Sequence, residues 1–160
     1  MKYLGLSMIL LLASAMIACG GGSSSSTTTT NPATGAWSET FATTTGQQLG
    51  SFTFNMAQNN VALSGSGMNF ANMGAFSQCF GSGTVMTGSM GPGMMNGGSM
   101  SMTMSWTPQG SAETNTMTMQ GSMANGMGSG SGTFTLTGQT SGCTSQTGTF
   151  SMSHTSKTMM

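Results

Sequence analysis

From residue 35 onward, hydrophobic and polar residues alternate along most of the chain. Residues 52–56, 100–106 and 134–136 carry a hydrophobic side chain at every second position, with Ser, Thr or Asn between them. Such alternation places one set of side chains on each face of a β-strand. Because no segment shows a convincing helical period, the pattern predicts an all-β domain.

Short runs of turn-forming residues, such as Asn96-Gly97-Gly98 and Asn125-Gly126, separate the alternating segments. The pattern predicts eight strands, at 35–43, 49–57, 60–66, 82–90, 99–107, 114–123, 130–138 and 147–154. We expect an antiparallel meander that closes as a lipocalin-like barrel or folds as a sandwich. Residues 68–78 are expected to form an irregular crossing or one helical turn.

The first 19 residues form a separate region. Lys2 precedes an apolar run over 4–18, which is too short to span a bilayer but fits a cleaved signal. Small Ala18 directly before Cys19 resembles the lipobox of bacterial lipoproteins, although Met16 replaces the usual Leu. The chain is therefore expected to divide into a signal peptide at 1–18, a lipidated cysteine and Gly/Ser/Thr-rich linker at 19–34, and a β-domain at 35–160.

The lipobox resemblance implies a location in the bacterial cell envelope, with a lipid on Cys19 as the link to the membrane. Gly20 follows this cysteine, whereas an Asp there retains lipoproteins at the inner membrane in well-studied systems. The resemblance therefore implies the outer membrane as the destination. The linker contains no residue that would bury in a core, so it is expected to hold the domain away from the bilayer surface.

Charge is almost absent, at 2% of residues with no net charge, whereas about 25% is usual for a soluble domain. This composition excludes a nucleic-acid-binding surface, which requires clustered Lys or Arg. It also leaves few groups for acid–base catalysis, so we expect no enzyme. His154 is expected at a strand end by a barrel mouth. Glu39 shares a strand face with Trp37 and Phe41, which points it inward, but carboxylates more often lie at a strand end or rim.

Three cysteines are present. With Cys19 assigned to the lipid, Cys79 and Cys143 remain as a pair in an oxidising compartment, which predicts a disulfide. The alternative is a pair of thiolate ligands for a soft metal, but neither a CxxC spacing nor a nearby His supports it.

Methionine is the most unusual part of the composition, with 20 residues in the chain. Thioethers select Cu(I) or Ag(I), and the run at 100–106 resembles the Met-rich segments of periplasmic copper- and silver-handling proteins. The candidate metal ligands are Met100, Met102, Met104, Trp106, Met152 and His154. The alternative is plain core packing, because same-face residues of one strand lie about 6.6 Å apart and share an ion only with help from another strand.

Three segments of the β-domain resemble the small Thr/Gly-rich domains of bacterial envelope lipoproteins: 79–84 (CFGSGT), 132–138 (GTFTLTG) and 141–144 (SGCT) with 148–150 (GTF). The resemblance implies location and shape, not an activity. We therefore expect a non-enzymatic structural or binding module of unknown ligand. Two alternatives remain, a Cu(I)/Ag(I)-binding protein and a carrier of one small hydrophobic molecule inside a Met-lined barrel.

Overall fold

The computed structural model describes residues 33–91, 98–124 and 127–155. Its elements are eight strands and one short 3₁₀ turn. The strands are β1 (Gly35–Ala42), β2 (Gln48–Asn59), β3 (Ala62–Asn72), β4 (Val85–Met90), β5 (Ser99–Trp106), β6 (Asn115–Met123), β7 (Ser129–Thr137) and β8 (Gln146–His154). The 3₁₀ turn covers Gly74–Phe76. The prediction of an all-β domain is confirmed.

Each strand pairs antiparallel with the next one along the chain, and β8 pairs with β1 to close the sheet. The closing seam is continuous, since Trp37 lies opposite His154 and Phe41 lies opposite Phe150. The predicted meander is therefore confirmed, and of the two predicted closures the structure has the barrel. Full closure removes the sheet edges that a chain with so few charges has no means of protecting.

The main departure from the predicted elements lies in β3. This strand was expected to end at residue 66, but it continues to Asn72. Its pairing with β2 shifts register twice, between Ser51 and Asn55, and Gly67 adopts a positive φ of 60° in the same region. Such irregularities lengthen and bend a strand while hiding its alternation. The expected helical turn is present, but only over Gly74–Phe76.

The interior of the barrel is filled mainly by methionine and phenylalanine. The buried methionines are Met56, Met73, Met86, Met90, Met100, Met102, Met104, Met117, Met119, Met123, Met127 and Met152. Phe41 stands at the centre of an aromatic group, edge-on to Phe76 and Phe134 at 5.4 Å from each ring centre. Flexible thioether side chains fill the irregular space around these rigid rings.

Small residues make room for this packing where two strands come close. Gly121 and Gly132 are register partners on β6 and β7. A Cβ on either one would collide with the backbone of the other strand, at Ser131 and Gln120 respectively. Glycine is therefore required at both positions by close backbone approach.

The barrel has two ends with different contents. We call the end where the chain enters at Ala33, and where β8 finishes, the amino-terminal end. The opposite end, with the Cys79–Cys143 bond, is the disulfide end. None of the helical segments in the described residues is long and apolar enough to cross a membrane.

Candidate functional site

Glu39 is unusual among the inward-facing residues because it places a carboxyl group in an apolar core. It lies near the middle of β1, on the inward face with Trp37 and Phe41, and all three side chains are 0% exposed. Neither carboxyl oxygen has a hydrogen-bond partner. Burial therefore raises the pKa of this carboxyl from 4.5 to about 8, because desolvation disfavours the charged form. The side chain is consequently a neutral acid at pH 7, held where a polar group without a partner is costly.

Two thioethers lie in the same cross-strand row as this carboxyl. Glu39 is opposite Met152 on β8, Met152 is opposite Gly130 on β7, and Gly130 is opposite Met123 on β6. A Cβ on Gly130 would lie 2.7 Å from Sδ of Met123 and 3.2 Å from Cγ of Met152. Both methionine side chains therefore lie over Gly130, and the absence of a side chain on this residue leaves room for them.

An imidazole lies one inward position further along β8, at the rim of the amino-terminal end and opposite Trp37. His154 follows Met152 on the same face of β8 and is half-buried. Its ring stands edge-on to the Trp37 indole, with ring centres 5.2 Å apart and an interplanar angle of 86°. Its Nε2 atom lies over Gly35, where a side chain would collide with it. Within the part of the chain that the structure describes, the imidazole nitrogens make no hydrogen bond, so both nitrogens are open to a ligand.

The beginning of the described chain is tied to the barrel beside Trp37. Ala33 is fully buried, and both of its backbone groups bond to side chains of the barrel. Its N–H donates to Oε1 of Gln58 at 3.0 Å, and its carbonyl accepts from Nε1 of Trp37 at 2.8 Å. The Trp37 indole is thereby fixed between Ala33 and His154.

We call Glu39, Met123, Met152 and His154, with Trp37 beside them, the amino-terminal cluster. Its donors are two thioether sulfurs, one imidazole and one carboxyl. Thioethers and imidazole together suit a soft monovalent ion such as Cu(I) or Ag(I). Among the described residues there is no group of three His, Cys, Asp or Glu, which is the kind of set that holds zinc.

The structure brings some of the sequence-predicted metal ligands together and separates others. Met152 and His154 share the amino-terminal cluster. Met100, Met102 and Met104 are all buried on the inward face of β5. One strand alone cannot bring two thioethers close together, but the neighbouring strands provide them. Met102 faces Met119, and Met104 faces both Met117 and Met86.

Trp106 lies at the disulfide end, six residues along β5 from Met100, which is about 20 Å of extended chain. Its Nε1 donates to the carbonyl of Ser82 at 3.1 Å. The indole beside His154 is that of Trp37, which sequence reasoning did not connect with metal binding. The signal needed was the register between β1 and β8, and no local pattern in the sequence provides it.

The described pockets are shallow grooves on the outer surface. Their volumes range from about 100 to about 480 Å³. None of them is lined by Glu39 or by the central methionines Met102, Met104, Met117 and Met119. The interior positions are occupied by large fully buried side chains. A hydrophobic ligand inside the barrel would therefore have to displace core methionines.

The disulfide end has a polar interior of its own. Cys79 and Cys143 are bonded, with their Cα atoms 4.8 Å apart, so the predicted disulfide is confirmed. Beside it, fully buried Asn115 donates from Nδ2 to the Cys79 carbonyl and to Oγ1 of Thr140. Its Oδ1 accepts from the backbone N–H groups of Gln139 and Thr140. The bonded cysteines leave no thiolate pair for a metal.

No protein-family model, curated protein or solved structure is significantly similar to this chain. The predicted signal peptide, Cys19 and most of the predicted linker lie outside the described residues, as does the end of the predicted β-domain after residue 155. The proposed function therefore starts from the donor groups of the amino-terminal cluster.

Proposed function

We propose that this chain is a non-enzymatic envelope lipoprotein whose barrel binds Cu(I) or Ag(I) at the amino-terminal cluster. The observation that carries the proposal is the buried carboxyl of Glu39, without a partner, in one cross-strand row with Met123 and Met152, whose side chains both lie over Gly130. A buried carboxyl without a hydrogen-bond partner destabilises the fold, so we infer that Glu39 has a partner from outside the polypeptide.

The charge of the ion supports this assignment. A monovalent cation and an ionised Glu39 together carry no net charge, which makes their burial in a core without other charges far less costly than that of either alone. The thioethers of Met123 and Met152 and the imidazole of His154 are the ligands, and the carboxylate supplies the compensating charge. Trp37, which is itself fully buried, presents an indole beside the imidazole.

A binding role suits the remaining functional groups better than catalysis does. His154 has an indole as its ring neighbour, and Glu113 is exposed at the other end of the barrel. General acid–base catalysis requires such groups close together around a substrate.

Attachment to a membrane through a lipid on Cys19 is the second part of the proposal, and the lipobox-like sequence supports it. Two or three acyl chains anchor a protein durably, whereas one does not. Cys19→Ala should move the protein from the outer-membrane fraction to the soluble fraction of cells. Continued membrane association of this variant would contradict the anchor.

The metal site is tested by titrating Ag(I) against a competing chelator into the chain from residue 19 onward, carrying Cys19→Ser. This substitution removes the one thiol outside the disulfide, which would otherwise capture silver. We expect one ion per chain with a Kd below about 1 µM. Anaerobic Cu(I) should give the same stoichiometry. Met123→Leu with Met152→Leu should weaken binding by at least about tenfold, because leucine fills similar volume without a sulfur.

The matched control is Met102→Leu with Met119→Leu, which removes two facing thioethers from the centre of the barrel. Its affinity for Ag(I) should equal that of the parent. Loss of binding in this control but not in the Met123/Met152 variant would move the site to β5 and β6. Absence of binding in the parent, or uptake of many ions with no defined stoichiometry, would refute the proposal.

A carrier of a small hydrophobic molecule is the second candidate, and the same unpartnered carboxyl favours it. Glu39 would bond to a hydroxyl or amine of the ligand, while the methionines rearrange around its apolar body. This candidate predicts that an apolar amine such as dodecylamine binds one per chain and that Glu39→Gln weakens it. Metal binding without amine binding would eliminate it.

A further inference from the structure

A groove on the disulfide end carries a second, independent set of functional groups. Its volume is about 480 Å³, and it lies between the turn that follows β5 and the segment around Ser141. Trp106, Pro108, Gln78, Gln109 and Glu113 line it with small hydroxyl residues. It is at the opposite end of the barrel from Ala33.

The indole in this groove is fixed in place. Nε1 of Trp106 donates to the carbonyl of Ser82 at 3.1 Å, which uses its only hydrogen-bond donor. One ring edge rests on Gly81, where a Cβ would lie 2.9 Å from Cζ2. The indole is only partly buried, and the remainder of its surface lines the groove. What Trp106 offers to a ligand is therefore a flat, apolar, immobile π surface.

The backbone around the groove is also held in place, while its longer polar side chains stay free. The N–H of Glu113 donates to Oγ of Ser111 at 3.0 Å, and the hydroxyls of Thr107 and Thr114 are 2.7 Å apart at the base of the turn. Within the described ranges, the side chains of Gln78, Gln109 and Glu113 make no hydrogen bond. Their amide and carboxylate groups are therefore available without breaking an existing contact.

The exposed indole face and the polar side chains around it together fit one class of ligand. A sugar ring has an apolar C–H face that covers an indole and a rim of hydroxyls that amides and a carboxylate can bond. No Lys or Arg lines the groove, and Glu113 is an anion, so phosphate, sulfate and uronic-acid groups are repelled. We infer that the groove around Trp106 is a binding site for a neutral saccharide.

The test uses the chain from residue 19 with Cys19→Ser, labelled with ¹⁵N. Two tryptophans give two indole N–H resonances, and Trp106→Phe assigns the one from the groove. The probes are cellotriose, maltotriose and the trimer of N-acetylglucosamine. At least one should shift the Trp106 resonance saturably at about 1 mM sugar, typical of a shallow site. The Trp37 resonance should not move.

Two variants locate the binding. Glu113→Ala alters an exposed side chain, so the fold should survive, and it should weaken the sugar by about threefold or more. Val61→Ala, at an exposed position on the amino-terminal end, should leave the affinity unchanged. The inference is overturned if none of the three sugars moves the Trp106 resonance at 20-fold that concentration, about 20 mM. It is also overturned if Glu113→Ala binds as well as the parent, or if trigalacturonic acid binds as tightly as the neutral trimers.

Discussion

Asn115 and Glu39 are both polar, both 0% exposed, and both inside the same barrel, yet their surroundings differ completely. At the disulfide end, Asn115 has four hydrogen bonds, two from its amide nitrogen and two to its oxygen. In the amino-terminal cluster, the two oxygens of Glu39 have none. One buried polar group is fully satisfied by the chain, and the other is left entirely without partners.

The difference separates a structural role from a functional one. Asn115 ties the Cys79 carbonyl to the turn at Gln139 and Thr140, so its bonds hold the disulfide end together. Glu39 holds nothing together, and a hydrophobic residue of similar size would make the barrel more stable. Its presence is therefore best understood as serving a ligand rather than the fold, which is why the metal proposal rests on it.

The largest effect should come from the ionisation of Glu39. The native state keeps this proton up to a pH of about 8, whereas the unfolded chain loses it near 4.5. Between these values the native state binds more protons, so stability should fall as the pH rises. Across the whole interval the loss is about 5 kcal/mol. Urea unfolding at pH 5 and at pH 9 measures it.

Glu39→Gln is the control for this pH dependence. The amide does not titrate, so the fall in unfolding free energy between pH 5 and pH 9 should largely disappear. An equal fall in the variant and the parent would show that another group is responsible. If Glu39 compensates a bound cation, saturating Ag(I) should also flatten the parent's profile, because the ion favours the carboxylate.

The disulfide should have the next largest effect, at the other end of the molecule. Cys79 and Cys143 are 64 residues apart in sequence. Replacing both with alanine should lower the unfolding free energy by about 4 kcal/mol, because the cross-link no longer restricts the unfolded chain. Chemical denaturation of the double variant measures this loss. Ag(I) affinity at the amino-terminal cluster should be retained while the barrel is folded, and a parallel loss would show that the two ends are coupled.

The smallest of these effects should come from Asn115. Asn115→Ala leaves the Cys79 carbonyl and two backbone N–H groups without their partner, and the expected loss is about 3 kcal/mol. Unlike the effect of Glu39, this loss should be the same at pH 5 and at pH 9. A loss that grows with pH would mean that Asn115 and Glu39 do not act separately.

Local alternation was enough to predict most of the fold. Hydrophobic residues at every second position gave eight strands in chain order, and the turn residues between them gave the meander. The inward face of β5 followed from the same period, as did the burial of its methionines. An even pair of cysteines was enough to predict the Cys79–Cys143 bond. These features depend on neighbours in sequence or on simple pairing rules.

The candidate site depended on registers that the sequence does not display. Met123, Met152 and Glu39 lie on β6, β8 and β1, and only the pairing through Gly130 places them in one row. For the same reason the sequence pattern connects Trp106, which follows three methionines on its own strand, with metal binding, whereas the site proposed from the structure has Trp37 beside it. The extension of β3 to Asn72 was missed because its register shifts interrupt the alternation.

The seam between the first and last strands has a consequence for the order of folding. Trp37 and Glu39 come from β1, while Met152 and His154 come from β8, so the cluster requires residues from both ends of the domain. Contacts between such distant residues form slowly and late. A chain still emerging from the ribosome lacks Met152 and His154 until the final strand has been made. If the cluster binds an ion as proposed, that capacity arises only with closure of the barrel, and a molecule that carries the ion is one that has finished folding.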